Sequence, residues 1–229
     1  MRERLTVPDH TVAEREFLPA RSSWTFAARF NVAAWQDVPA IRRHAGQSEG
    51  VMLRWGLIPS WTLGQPDAQG VLSVELDQIE RGDAFRGAWL CSQRCIVPVS
   101  GFYTWQLTSD RYRQPFFIRV MDRMVFGLAG IWDRWVGEGD DVIESCSLIS
   151  VPANELMADI ANTDQRMPAI LRRKDYERWL QGTPVEAKGA LRPYDARSMQ
   201  AYPVSPRINS LAHDDFGLIQ PAQLDQLRA

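Results

Sequence analysis

Three cysteines and three histidines are the side chains of this sequence whose chemistry is easiest to recognise. Cys91 and Cys95 lie at a spacing close to that of zinc-binding pairs, but no histidine or further cysteine is near enough in sequence to complete four ligands. The remaining cysteine is Cys146, and the histidines are scattered at 10, 44 and 213. The sequence therefore predicts no metal site and no cofactor.

Motifs that bind phosphate groups are also missing. The chain contains neither a glycine-rich loop ending in Lys-Ser or Lys-Thr nor the G-x-G-x-x-G dinucleotide fingerprint. A Ser-His-Asp triad would have to use one of the scattered histidines, none of which lies in a recognisable context. Two carboxylates, Asp77 and Asp164, remain as a candidate pair for acid–base chemistry, provided that the fold brings them together.

The elements that would position such residues are mainly short strands separated by turn residues. The predicted strands are Val51–Trp55, Cys95–Val99, Phe102–Gln106, Pro115–Met121, Met124–Ala129 and Val142–Ser150. Helices are predicted over Asp83–Ser92, Ala153–Ile160 and Lys174–Gln181. Strands grouped in the middle, with helices interspersed, are typical of an α+β fold with an antiparallel sheet. Because no repeat or long linker divides the chain, we expect residues 1–229 to form one domain.

Composition limits the classes of partner. A formal net charge of −2 is unlike the basic excess of most nucleic-acid-binding proteins, although 26 Lys and Arg residues leave room for a local basic groove. Lysine occurs only at Lys174 and Lys188. Arginine suits bidentate phosphate contacts, but compositional bias is the simpler explanation. The start of the chain lacks an apolar segment, and no stretch reaches the roughly 20 apolar residues of a membrane span. We therefore expect no membrane contact. Because the cysteines are few and odd in number, we also expect a cytoplasmic protein.

Eight segments between residues 29 and 209 carry recognisable motifs in a recognisable order. They are RFNVA at 29–33, LRWGLIPSW at 53–61, Phe85 and Trp89 ahead of RCIVPVSGFYTW at 94–105, QPFFI at 114–118, LAGIW at 128–132, SVPAN at 150–154, RMPAIL at 166–171, and YPVS with Ile-Asn at 202–209. Together they resemble the SOS-response-associated peptidase (SRAP) family, which processes abasic DNA. Each segment alone is a weak signal, and their shared order makes the resemblance strong.

The resemblance implies a fold and a chemistry. Members of the family are single α+β domains with an antiparallel, barrel-like β core, flanking helices and a positively charged groove for single-stranded DNA. A cysteine directly after the initiator methionine supplies an amine, which forms a Schiff base with the abasic aldehyde, and a thiol, which closes a thiazolidine crosslink. An asparagine, a glutamate and a histidine orient the reactants and transfer protons.

This sequence departs from the family at each of those positions. Arg2 stands in place of the cysteine, and a protonated guanidinium is not a nucleophile. Ser73 replaces the asparagine, Thr104 the glutamate and Asp164 the histidine, while Glu75 stands where a DNA-facing arginine is expected. We therefore expect that the crosslinking reaction has been lost and that the protein is catalytically degenerate.

Five further residues are candidates for DNA contact: Arg4, Asn31, Trp61, Arg166 and Arg207. Arg4 and Arg166 match arginines of the family groove, and each either contacts DNA or forms a structural ion pair. Arg207 is a weaker candidate of the same kind. Asn31 either hydrogen-bonds near the site or caps a turn. Trp61 follows a Pro-Ser loop and is expected to be exposed, although Thr62 replaces the aromatic residue that usually follows it.

Three hypotheses remain open on this sequence. The first is a degenerate SRAP protein that binds single-stranded or abasic DNA non-covalently. The second, favoured by Glu75 and the negative net charge, is an SRAP fold that serves as a protein-interaction module. The third is an enzyme of changed chemistry built on Asp77 and Asp164. A continuous positive groove around Arg4 and Arg166 favours the first hypothesis, and a neutral or acidic one favours the second.

Overall fold

The computed structural model describes residues 4–63, 70–139 and 141–222. The strands in these ranges are β1 (Arg4–Val7), β2 (Arg21–Ser22), β3 (Arg29–Ala33), β4 (Asp37–His44), β5 (Gln47–Trp55), β6 (Ser73–Glu75), β7 (Arg94–Val99), β8 (Gly101–Leu107), β9 (Arg113–Val120), β10 (Phe126–Val136), β11 (Val142–Pro152), β12 (Arg166–Pro168), β13 (Ile170–Leu171) and β14 (Met199–Pro203). The helices are α1 (His10–Phe17), α2 (Asp83–Leu90), α3 (Glu155–Ile160), α4 (Tyr176–Gln181) and α5 (Pro184–Lys188). Short 3₁₀ helices cover Arg173–Asp175, Ala196–Ser198, Pro206–Asn209 and Phe216–Ile219.

Five strands form a closed ring, which is the barrel-like core expected from the sequence. The neighbours β11, β10, β7, β4 and β5 pair in that order, each antiparallel to the next. The ring closes because the end of β5 pairs with β11, Arg54 opposite Ser145 and Trp55 opposite Cys146. This closing pair is parallel, so the barrel is not antiparallel throughout. The α+β class and the barrel-like core are otherwise confirmed.

A second, five-stranded antiparallel sheet lies beside the barrel, in the order β14-β9-β8-β1-β3. The large hydrophobic core takes in the barrel and one side of this sheet, with Leu53, Trp55, Ile96 and Leu128 at most 1% exposed. A smaller apolar cluster on the other side of the sheet packs against the C-terminal segment, and it comprises Tyr103, Trp105, Phe117, Val204, Ile208 and Leu218. The second sheet is thus covered on both faces.

Local sequence explains how several elements begin and end. Ala45 and Gly46 both have positive φ angles, 49° and 79°, so the β4–β5 hairpin turns through a type I′ geometry that matches strand twist. Gly56 ends β5 with a φ of 137°, and a Cβ there would meet the Trp35 ring. Asp9 caps α1 by accepting hydrogen bonds from the backbone N–H groups of the first turn.

Each of the nine predicted segments overlaps an observed element of the predicted type. The boundaries differ, most clearly at Met124–Ala129, because Met124 precedes β10 and that strand continues to Val136. The helix predicted from Lys174 begins as a 3₁₀ turn and becomes α-helical at Tyr176. Among the described residues, no helix is both long and apolar enough to cross a membrane.

A buried ionic cluster joins three barrel strands. Arg42 on β4 donates from Nε to Glu49 of β5 at 2.7 Å and from Nη1 to Glu144 of β11 at 2.8 Å, and its guanidinium lies 4.1 Å from the Trp132 ring centre. Glu49 also accepts from Arg21 at 2.7 Å. Burial disfavours the Glu49 carboxylate, but its bonds to the two arginines outweigh burial and lower its pKa.

We expect Glu49→Gln to reduce the free energy of unfolding by about 1–3 kcal/mol at pH 7, since Arg42 then keeps only Glu144. A carboxyl whose pKa is lowered on folding stabilises the fold above its ordinary pKa of 4.5, and loses that contribution as the pH falls through the folded value. Urea unfolding at pH 7 and at acid pH should therefore show a smaller difference between wild type and variant in acid. The control is Glu80→Gln, which removes an exposed pair with Lys188 and should cost under about 1 kcal/mol; an equal loss in both variants would contradict this account.

Candidate nucleic-acid interface

A cavity of about 60 Å³ lies between the two sheets. One wall comes from β1 and β8 of the five-stranded sheet, and the other from β6, β11 and β12. The volume holds only a few water molecules, so the cavity suits a small polar group. Its polar and charged lining residues are Arg4, Ser73, Tyr103, Thr104, Ser150, Asp164 and Arg166. The cavity thus brings together four separate parts of the sequence, which supply Arg4, Ser73, Thr104 and the neighbouring pair Asp164 and Arg166.

Strand β11 sets the register of this site. Its Ser150 is opposite Glu75 of the parallel strand β6 on one side and opposite Pro168 of the antiparallel strand β12 on the other. Directly paired residues share a face of a sheet, as do residues two apart on one strand. Ser73, Glu75, Ser150 and Arg166 are therefore on one face.

Arg166 is held in place by its neighbours on that face. Its Nη2 donates to the Ser150 carbonyl at 2.9 Å, and its Nη1 lies 3.7 Å from Glu75 Oε2. The Arg166 side chain is 20% exposed and that of Glu75 44%. Glu75 therefore lies beside the cavity and offsets the charge of one of the two lining arginines. Arg166 Nε is enclosed and meets no acceptor among the described residues.

The described lining contains hydroxyls and one carboxylate, Asp164, but no cysteine, histidine or lysine. Asp77 is exposed and does not line the cavity, so the cavity does not unite the two proposed carboxylates. The Tyr103 hydroxyl donates to the Phe30 carbonyl at 2.8 Å, and burial raises its pKa far above the ordinary value. Tyr103 therefore stays neutral near pH 7. Arg2 lies outside the described residues, so its predicted effect on the chemistry stays a prediction.

Asn31 and Arg207 lie in a different environment. Asn31 is 2% exposed, and its Nδ2 donates to the carbonyls of Ser210 at 3.0 Å and His213 at 2.8 Å. Arg207 forms an ion pair with Asp215 at 2.7 Å. Both side chains therefore order the C-terminal segment, and neither lines the cavity.

Trp61 is 62% exposed, as its Pro-Ser loop predicted. Its indole Nε1 donates to the Asp83 carbonyl at the start of α2, at 3.4 Å. The Thr62 carbonyl accepts from Trp135 at 2.8 Å, which fixes the loop on β10. A flat apolar surface is thus presented on a fixed loop, but Trp61 is not among the residues that line the cavity.

Other reactive side chains are placed apart from this site. Cys95 and Cys146 are buried, and burial together with a hydrogen bond to Cys146 raises the Cys95 pKa, whereas Cys91 is exposed. The described residues contain no cluster of three or more metal-binding side chains. Residues 46–50, GQSEG, also match the G-x-S-x-G pattern of hydrolases, but they form a β-hairpin turn and the start of β5. That pattern requires a strand-to-helix turn, so Ser48 is not a nucleophile of this type.

Comparison with known proteins defines the class of this molecule. The family model for SOS response associated peptidase (SRAP) matches residues 2–211, and the chain therefore belongs to the SRAP family. It is 30% identical over 208 residues to the abasic site processing protein YoqW of Bacillus subtilis, with 90% of each chain covered. It is 33% identical over 193 residues to YoaM of the same organism, also named an abasic site processing protein, with 83% of each covered. A crystal structure of a Bacteroides thetaiotaomicron protein matches with a TM-score of 0.87 and 27% identity, covering 96% of this chain and 99% of that one.

We expect Asn31→Ala to reduce the free energy of unfolding by about 1–3 kcal/mol, because it leaves buried carbonyls without donors. The variant should also be cleaved faster by trypsin within the C-terminal segment. The control is Asn162→Ala, which removes two exposed backbone contacts with Leu107 and should cost less. If Asn31→Ala instead weakens DNA binding without loss of stability, then Asn31 acts in recognition and not in ordering this segment.

Proposed function

We propose that this protein recognises single-stranded DNA at abasic sites non-covalently, as a degenerate SRAP protein in the DNA damage response. The observation that carries the proposal is the assembly of Arg4, Arg166, Thr104, Ser73 and Asp164 at one small cavity. The relatives named as abasic site processing proteins support the substrate class. We further propose that one domain carries this activity in the cytoplasm.

The lining chemistry supports binding rather than bond formation. Two guanidinium groups suit phosphate or the oxygens of a sugar, and the hydroxyls of Ser73 and Thr104 can donate to or accept from the same groups. Thr104 cannot supply a carboxylic proton, and Asp164 bears no imidazole. A cavity of about 60 Å³ cannot enclose a whole nucleotide, so a base would have to remain outside it.

The ion pair between Arg166 and Glu75 limits the affinity of this site. A phosphate that approaches Arg166 meets a carboxylate 3.7 Å from the guanidinium. Each phosphate contact on a single strand contributes a slope of about −0.7 in log K against log salt. We therefore propose weak binding with a shallow salt dependence.

Glu75→Gln tests this function. It should raise affinity several-fold for a labelled single strand with a stable abasic analogue, and steepen the salt slope by about 0.7, because Arg166 is released to one phosphate. Glu75→Arg should have the larger effect. Fluorescence anisotropy at several salt concentrations measures both quantities.

The matched control is Glu138→Gln, which removes an exposed carboxylate from the β10–β11 turn and should leave affinity unchanged. If both Glu75 variants also leave affinity unchanged, the cavity does not bind DNA. The Glu75–Arg166 pair then belongs to a neutral surface, and the interaction-module hypothesis replaces this one.

A separate experiment concerns covalent chemistry. We expect no heat-stable crosslink when the protein is incubated with uracil-glycosylase-treated single-stranded DNA and run on a denaturing gel. Arg2→Cys alone should not reach the rate of a family enzyme, since positioned acid–base groups are worth about 10²–10⁴-fold. Combining it with Ser73→Asn, Thr104→Glu and Asp164→His should raise the yield. A heat-stable band from the wild-type protein in good yield would show that another nucleophile is present.

A further inference from the structure

A second basic surface lies apart from the cavity. It is an open groove lined by Arg123, Arg172, Arg173 and Lys174, together with Tyr194, Asp195 and Ser198. None of these residues lines the cavity. Four cations facing one carboxylate are a strong local excess in a chain whose formal net charge is −2.

Strand pairing brings these cations together. Leu171 of β13 is opposite Gly127 of β10, and the two strands are antiparallel. The chain that leaves β13 at Arg172 therefore runs beside the turn that precedes β10, where Arg123 lies. The 3₁₀ helix Arg173–Asp175 follows immediately. Residues about fifty positions apart in sequence thus line one groove because of this register.

Most of the charge in the groove is not paired with a carboxylate of the described residues. Asp195 lies 3.8 Å from Arg197, and Arg173 lies 3.9 Å from Glu16. Within the described ranges, Arg123, Arg172 and Lys174 form no ion pair with a carboxylate. Arg123 Nη1 is moreover enclosed without an acceptor among the described residues. Like charges held together in this way favour a bound anion.

The shape of the groove and its distance from the cavity indicate which anion. The groove is open to solvent, which suits the phosphates of a nucleic-acid strand better than one enclosed small ion. Arg166 at the cavity and Arg172 at the groove belong to one extended segment, so they are at most roughly 20 Å apart. Each nucleotide advances about 3.4 Å along the axis of a duplex and further in an extended single strand, so at most about six nucleotides span that distance.

We propose that this groove binds the phosphates of the DNA strand that flanks the nucleotide at the cavity. The inference rests on the proposed function and adds to it a second contact region, several nucleotides away. Arginine forks hold phosphate oxygens in a bidentate manner, and Lys174 adds a point charge. Binding should therefore depend on the length of the strand.

The test compares a tetranucleotide with a strand of about 15 nucleotides, both with a central abasic analogue, by anisotropy over a range of salt. The variant is Arg123→Gln/Arg172→Gln/Lys174→Gln, and the control is Arg43→Gln, near the tip of the β4–β5 hairpin. For the long strand, the triple variant should bind at least about tenfold more weakly, with a salt slope shallower by up to about 2. Tetranucleotide binding should not change in either variant. Arg172→Gln alone should make the salt slope for the long strand shallower by about 0.7. This single variant replaces the triple variant in the test if the triple variant unfolds.

The outcomes separate the two proposals. If wild type binds neither strand, the proposed function fails and the groove proposal fails with it. If wild type binds the long strand and the triple and single variants bind it equally well, the groove proposal is wrong and the proposed function stands. Calorimetry with inorganic pyrophosphate completes the test: variants that lose pyrophosphate binding but keep the long strand would identify a small-anion site instead.

Discussion

The site depends on strand β11 being shared by several neighbours. At Ser145 and Cys146 this strand closes the barrel against β5, and a few residues later it pairs with β6 and with β12. Gly56 continues the closure, since its N–H donates to the Cys146 carbonyl at 2.9 Å. The barrel and the cavity therefore use one continuous strand. A slip of one residue by β6 along β11 would turn Ser73 and Glu75 to the other face, and the same slip by β12 would turn Arg166 away.

The same register explains why Glu75 lies beside Arg166. Ser150 stands between them in the sheet, and its carbonyl accepts from Arg166. At 3.7 Å, with Glu75 close to half exposed, such a pair contributes at most about 1 kcal/mol to stability. The pair matters more for the local charge, because Glu75 offsets the positive charge that Arg166 would present to any anion. The charge reversal noted in the sequence is thus an ion pair in the structure.

Sequence reasoning located most of the long strands, but it missed the eight-residue strand β4 and the shortest strands. Strands β6, β12 and β13 have three residues or fewer, too short to show alternation, and they form because β10 and β11 offer them edges. The residues at the cavity were predicted from the order of the family motifs and not from hydrophobic periodicity. Local sequence could not show the environment of Asn31, because its hydrogen-bond partners Ser210 and His213 lie in the C-terminal segment, far away in sequence.

The basic groove was missed for a similar reason. Arg172, Arg173 and Lys174 are consecutive, and such a run alone is usually a solvated surface. Arg123 joins them only through the pairing of β10 with β13, which no local pattern reveals. The run of three cations was the signal available in the sequence. It forms one wall of a groove only because β13 pairs with β10.

The abundance of arginine has two separate explanations in this structure. Many arginines are used by the fold: Arg42 bridges two glutamates, Arg192 and Arg178 flank the buried Asp175, and Arg94 lies between Trp89 and Trp179 and donates to the Trp179 carbonyl. Burial lowers the pKa of Arg94, but an arginine begins so high that it stays charged. Arg42 and Arg94 are buried, so they cannot contact a ligand without unfolding part of the core. A count of arginines therefore says little about nucleic acid. The cations that matter are those gathered without a carboxylate partner among the described residues, as at Arg123, Arg172 and Lys174, because their charge favours a bound anion.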